Sequence, residues 1–441
     1  MAEIEARVDQ ELLDGLTAHV CAVLSGRAKG RDRKVAGCYV TGLIGPTPRK
    51  SVEPMVRAQL GRIGRAQERR VTESLTDADW SHQGAMLDGA DRMLRVVGEG
   101  HGMGAYVLDD TALLKQGEHS VGVANQYAGS LGCLANCQSV VTLAITGDAV
   151  HTFVAMELFM PSKWFDDAHA KVREECRVPK GLVHRTKQRI GADLLLAALD
   201  SGMPKLPLLM DCAYGDDCAL RAELSRHGVE YVAMISSTKF FPLHVRFEAA
   251  PEKAKDAPGR PPTRLLAKDG VAPAKAVTYK ELGASLPADA WKTLTWRIGS
   301  KGPQTGLFAA VRVRPSQGLK GGAIRSDELQ PECWLLLHRA TGAAAPTKAW
   351  LSNLSPDTPL EDLVRLGRLR WGIERAHQEG KGDVGLDHYE GRTYPGLHHH
   401  LALVTLTHQY LAIRQLQSTQ RPASQKSEPS PPSADRITDA A

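Results

Sequence analysis

"AYVLDDTALLKQGEHSVGVANQYAGSLG" occupies residues 105–132, and its first six residues decide how the rest of the chain is read. An apolar run ends in two adjacent carboxylates, Asp109 and Asp110. Short apolar runs bounded by turn formers read as strands, so "YVLDD" (106–110) is taken as the first strand of a sheet. "SVVTLAITG" (139–147) and "HTFVAMELFMP" (151–161) follow as two more, and "TKQRIGADLLLAALDSG" (186–202) reads as a helix closing at glycine. "KLPLLMDCAYG" (205–215) is a buried strand that again runs into an aspartate, Asp211. A helix (216–228) and a strand (230–236) come next. Three strands followed by alternating helix and strand make a mixed α/β sheet.

Outward from this core, residues 1–100 read as a helical region, with "ELLDGLTAHVCAVL" (11–24) repeating apolar positions at helical spacing. Beyond it, the Pro-, Ala- and Lys-rich stretch 250–276 reads as an exposed, partly mobile loop. "TLTWRIG" (293–299), "GLFAAVRVRPS" (306–316) and "ECWLLLHRA" (332–340) read as strands of an inserted antiparallel piece. The core resumes with a strand at 347–354 and one long helix over 355–382. The expected division is therefore a helical region (1–100), a core in two parts (101–236 and 346–417), a β-rich insertion (237–345) and a disordered tail (418–441).

The composition is that of a globular chain, 42% hydrophobic and 24% charged, and a net charge of +5 is too small to imply a nucleic-acid partner by itself. Its distribution says more. "GRAKGRDRK" (26–34) and "VRAQLGRIGRAQERR" (56–70) each carry five basic residues against one acid, which suits a solvated face or phosphate binding. The cysteines have no zinc spacing, and the acidic start lacks the basic flank of a signal peptide. No apolar run approaches the ~18 residues of a membrane span. A cytoplasmic protein is expected. "HHH" (398–400) falls in a helical stretch and reads as packing or phosphate contact, not as zinc ligands.

Carboxylates at the ends of neighbouring strands suit phosphoryl transfer, in which a pair of divalent ions clamps the attacking and leaving oxygens. Mg²⁺ takes hard oxygen ligands, and its charge offsets the repulsion between the acids. An aspartate after a strand also simply starts a turn. Within "RLRWGIERAHQEGK", Arg370, Glu374 and Lys381 fall within roughly 40° of one another around a helix. An ordinary Arg–Glu pair one turn apart fits that spacing as well as a metal-binding Glu between two cations does. Geometry alone leaves both open.

Taken together, these segments resemble a bacterial insertion-sequence transposase of the DDE class with a Tyr-Arg-Glu-Lys signature. Arg370, Glu374 and Lys381 match its spacing, while the Tyr position holds Gly367. The ordered blocks "GLIGPTPRKSVEPM" (42–55), "DDTALLKQGEHSVGVANQYAGSLGCLANCQ", "DCAYG" and "GLDHYEGRTYPGLHHHLAL" (385–403) are similar to the seven-hundred-and-one family of insertion sequences. The resemblance implies an α/β, RNase H-like mixed sheet with a β-rich insertion between the second Asp and the Glu. That insertion fits the long interval from Asp211 to Glu374. The family's Asp-Thr motif selects Asp110 over Asp109, so Asp110, Asp211 and Glu374 are expected to hold two Mg²⁺ ions, with Mn²⁺ as substitute. Arg370, Lys381, Lys115, His119 and Asn125 are expected to meet DNA, and Trp296 could stack on a displaced base or belong to the core.

The implied activity is cut-and-paste transposition. The partners would be double-stranded DNA (terminal inverted repeats and target), with a homodimer in the synaptic complex, nucleoid-associated and without a membrane. A metal-dependent nuclease of the same fold, or a repurposed transposase that only binds DNA, are the alternatives.

Overall fold

The computed structural model describes residues 10–420 except 62–63, 98–102, 130, 148–149, 244–246, 249–257, 259–265, 268–275, 300–301, 317–329 and 341. Most of the 250–276 loop and the expected tail from 421 onward lie outside the described residues, whereas 418–420 continue the last helix.

Five helices open the described chain: α1 (Gln10–Val23), α2 (Gly30–Ile44), α3 (Val52–Leu60), α4 (Arg65–Asp77) and α5 (His82–Val97). The periodicity of "ELLDGLTAHVCAVL" turns Leu16, Val20 and Val23 inward along one face of α1. The looser pattern at 56–70 resolves into two helices. Gly61, at φ +65°, ends α3 in the left-handed conformation that glycine adopts without steric penalty. These helices share one apolar core with the sheet, largely through the last helix of the chain.

The sheet begins with β1 (Met103–Leu114), β2 (Ala124–Ala128), β3 (Cys133–Gly147) and β4 (His151–Phe159). After the short helix α6 (Ala170–Glu175) come α7 (Lys187–Asp200), β5 (Leu208–Met210), α8 (Cys212–Gly215), α9 (Cys218–Arg226) and β6 (Tyr231–Ile235). The Thr186 hydroxyl caps α7 by accepting the Arg189 N–H. β3 is antiparallel to both β1 and β4, while β5 and β6 run parallel to β1. The order β4-β3-β1-β5-β6 with an antiparallel second strand is the RNase H-like mixed sheet expected from the resemblance. Sequence reading overestimated β5, which is three residues long. β2 and β3 form an antiparallel hairpin.

The insertion contributes β7 (Phe240–Pro242), the two-residue strands β8 (Phe247–Glu248) and β9 (Leu266–Ala267), and α10 (Tyr279–Ser285). The strands β10 (Lys292–Gly299), β11 (Gly302–Pro315) and β12 (Cys333–Arg339) follow, and the resumed core strand is β13 (Lys348–Ser352). It is not a separate layer. β13 pairs antiparallel with β6, and β12, β11 and β10 follow outward, so core and insertion share one 11-stranded sheet among the described residues. The expected single helix over 355–382 is two, α11 (Leu360–Leu369) and α12 (Trp371–Gly382), meeting at Arg370, and α13 (Tyr394–Gln420) then packs along β4. Among the described residues no helix is long and apolar enough to cross a membrane.

Candidate active site

β1 and β5 are in parallel register, with Tyr106 beside Leu208 and Leu108 beside Met210. Asp109 and Asp211 are the next residues in step. Neighbours at the same level of two strands project to the same face, whereas Asp110, one residue on, projects to the other. The two members of the opening doublet therefore have different surroundings.

Asp109 is turned toward α12. Its Oδ2 accepts a bond from Arg370 at 3.0 Å, and the same guanidinium is paired with Glu374. Its Oδ1 accepts the Asp110 N–H at 2.8 Å. Asp211 caps the short helix α8, its Oδ1 accepting the N–H groups of Ala213 and Tyr214 at 3.0 and 3.3 Å, which leaves its second oxygen outside the cap. Gly215 closes that turn against β6: a Cβ there would lie 2.0 Å from the Met234 carbonyl oxygen, so the α8 turn carrying Asp211 can press on the sheet only with glycine.

Burial, then the neighbouring Asp211, push the Asp109 carboxyl up to about 7 against the opposing pull of Arg370. Burial also raises Asp211, again opposed by Arg370. The Arg370 guanidinium thus pairs with Asp109 and Glu374, and Asp211, at the next level of the neighbouring strand, lies within its electrostatic reach. Below them, His377 of α12, kept neutral by burial, bonds Thr142 at 2.8 Å. The Thr142 hydroxyl gives its proton to the Asp109 carbonyl at 3.1 Å, so His377 Nε2 must be the donor to Thr142. This relay ties α12 to β3 and β1 and fixes the backbone at Asp109.

The raised Asp109 has a testable sign. Between the unfolded value of about 3.9 and its folded value near 7, the folded chain holds a proton that the unfolded chain has released. This one residue therefore lowers stability progressively as pH rises from about 4 to 7 and adds no further change above that. In chelator, urea unfolding of Asp109→Asn beside the native chain should show the variant gaining relative stability across that window. A difference independent of pH would contradict the assignment.

Asp110, expected to face the metal, is instead turned to the opposite face. There its Oδ2 pairs with Lys187 of α7 at 2.6 Å and accepts the Ser139 hydroxyl at 2.9 Å, and Tyr214 donates to its Oδ1 at 3.3 Å. The alternation of side chains along β1 is the physical reason. Lys381 lies on α12 but donates to the Ala112 carbonyl at 2.9 Å. Lys115 is half-buried and donates to the Tyr389 carbonyl at 2.6 Å, with burial lowering its basicity. His119 and Asn125 are exposed. These three sit past the end of β1, and Lys115 alone is about 20 Å of strand from Asp109. The structure does not bring them to the carboxylates.

A cleft of about 790 Å³ adjoins Glu374, its wall including Arg297, Arg365, Arg368, Arg375, Trp296 and Trp371. The Arg368 guanidinium lies 4.1 Å from the Trp296 ring centre, and that of Arg297 lies 4.0 Å from Trp371, which is 45% exposed. Trp296 is half-buried against Phe308 and His338. Gly367, at the Tyr position, is buried with its α-carbon face toward Trp350 and Leu336 and also lines the cleft. Sequence reading missed Arg368, Trp371, Lys187 and His377. Trp371 directly follows Arg370 and His377 is three after Glu374, so proximity to the signature was the available signal.

No curated protein matches the chain. A cryo-EM structure of the piggyBac transposase synaptic complex with hairpin DNA aligns over 93% of this chain and 73% of that one, at 8% identity and a TM-score of 0.41. The family described as DDE superfamily endonuclease matches residues 12–303, a stretch containing Asp109, Asp110 and Asp211 and ending before Glu374. The chain belongs to that family of DDE superfamily endonucleases.

Proposed function

We propose that the chain is a DNA transposase of the insertion-sequence kind, cutting at the ends of an element and joining the freed 3′-hydroxyl to target DNA. The observation that supports this reading is the pairing of Arg370 with both Asp109 and Glu374, with Asp211 in step with Asp109 on the neighbouring strand, in a family of DDE superfamily endonucleases. The donor set fits Mg²⁺ or Mn²⁺: all three side chains offer hard oxygens, and their combined negative charge exceeds what one guanidinium cancels. Asp109, Asp211 and Glu374 would hold the ions, with Asp109 in the role the resemblance gave to Asp110. When bound, a pair of such ions supplies charge stabilisation at the attacking and leaving oxygens of the phosphodiester.

The remaining work falls to residues of this chain. Arg370 would hold Asp109 and Glu374 on its two terminal nitrogens. The basic, aromatic cleft beside Glu374 suits a DNA strand, with arginines on phosphates and exposed Trp371 against a base. The N-terminal helices, with exposed Arg31 and Arg69 among their basic runs, would grip the terminal inverted repeats. Lys115, His119 and Asn125, distant from the acids, would at most touch flanking DNA. Joining two element ends requires two copies, hence a homodimer in the synaptic complex.

The test is incubation of the chain with a pre-cut element end, a target duplex and Mg²⁺. Strand-transfer products support the reading. Hydrolysis alone would indicate a nuclease of the same fold, and binding without any cutting would indicate a repurposed DNA-binding protein.

A further inference from the structure

Away from the carboxylates, three residues from three distant parts of the chain meet. His82 opens α5, Glu157 lies on β4 and His398 lies in the His triplet of α13. One ligand atom from each falls within 4.8 Å of the others, in a group that is buried or half-buried. Glu157 is in register with Val141, which is in register with Asp110, so it stands two strands from β1, about 10 Å across the sheet. Shared register also puts it on the face opposite Asp109. This cluster is a different place from the active site.

The hydrogen bonds define the protonation of His398. Its Nδ1 lies 2.9 Å from the Tyr394 carbonyl, which can only accept, so Nδ1 carries a proton. The Leu158 N–H approaches Nε2 at 3.4 Å, which makes Nε2 the lone-pair nitrogen. That lone pair nevertheless faces Glu157 Oε1 at 3.4 Å, two acceptors against each other. Tyr394 and Arg185 donate to Oε1, at 3.0 and 3.3 Å. On the other side, Oε2 faces His82 Nε2 at 4.0 Å, too far for a hydrogen bond and comparable to the span across a bound ion. A histidine whose Nδ1–H is anchored to a carbonyl while Nε2 points to a carboxylate is arranged as metal-ligating histidines are.

We propose that His82 Nε2, His398 Nε2 and the Glu157 carboxylate form a structural zinc site that staples the N-terminal helices to β4 and α13. Two imidazoles and one carboxylate favour Zn²⁺ or Co²⁺ over Mg²⁺, whose preference is for oxygen. Arg185 remains on Oε1 and is also held by Asp193 at 3.0 Å, so the ion would sit toward Oε2 and His82.

The experiment is titration of the chelator-treated full chain with Zn²⁺, and separately with Co²⁺, in excess Mg²⁺. We expect one tightly held ion per chain, a raised melting temperature, and a Co²⁺ d–d spectrum of a nitrogen-containing site. His82→Ala, at the half-exposed start of α5, should weaken binding by more than the roughly tenfold that loss of even an outer-shell partner costs, and His398→Gln more still. Absence of the Co²⁺ spectrum in the native chain, or equal binding by His82→Ala and His398→Gln, overturns the proposal. Neither result bears on the carboxylate site.

Discussion

Replacing Asp211 with Asn, or Glu374 with Gln, is expected to lower DNA cleavage by about 10³-fold or more while leaving the fold and DNA binding in place. Each amide keeps the shape of the side chain but removes the charge that would hold a divalent ion, and metal stabilisation of the transition state is worth several kcal/mol. At about 1.4 kcal/mol per decade, three decades are a loss of about 4 kcal/mol. The Asp211 cap on α8 can still be made by an Asn oxygen, so the α8 turn should persist. Glu374 is 55% exposed on its side chain and its loss frees Arg370 only from one partner. Circular dichroism and gel-shift binding should therefore be unchanged for both variants. Cleavage within tenfold of the native rate by either variant would remove that residue from the site.

The second large effect separates the two adjacent aspartates. Asp109→Asn is expected to abolish cleavage to the same degree as Asp211→Asn. Asp110→Asn is expected to stay within about tenfold of native activity, because its side chain meets Lys187, Ser139 and Tyr214 on the opposite face. What Asp110→Asn should cost is stability. The Lys187–Asp110 pair is only about a quarter exposed, and taking the charge from one partner leaves an ammonium facing an amide in a poorly hydrated place. A lower melting temperature with activity kept is the expected pattern. The reverse pattern, with Asp110→Asn inactive and Asp109→Asn active, would restore the assignment that the family motif suggested.

That choice marks the limit of what the residues alone could say. The strand carrying the doublet, the second strand running into Asp211 and the Arg370–Glu374 pair were legible, because each depends on local pattern, but β1 does not end at the doublet as expected and continues to Leu114. Which aspartate faces the helix depends on how β1 meets β5, and a pattern of period two gives the alternation without saying which face is which. The sideways extension of the sheet was hidden for a similar reason: residues 349–352 pair with 232–235, a contact between segments more than a hundred residues apart. The division at Arg370 was hidden because Gly367 and Gly372 flank it without a proline or a polar cap to announce it. His82, Glu157 and His398 meet only through the packing of α5, β4 and α13, so the His triplet read by itself suggested packing or phosphate contact and not zinc ligands.

The account depends on Asp109, Asp211 and Glu374 sharing a divalent ion. The most direct measurement is anomalous scattering from Mn²⁺ in crystals of the chain bound to an element end. A Mn²⁺ peak within coordination distance of Asp109, Asp211 and Glu374 is the predicted result. A peak bound by Asp110 with Asp109 uninvolved, or no ion among the three carboxylates when DNA is present, would contradict it.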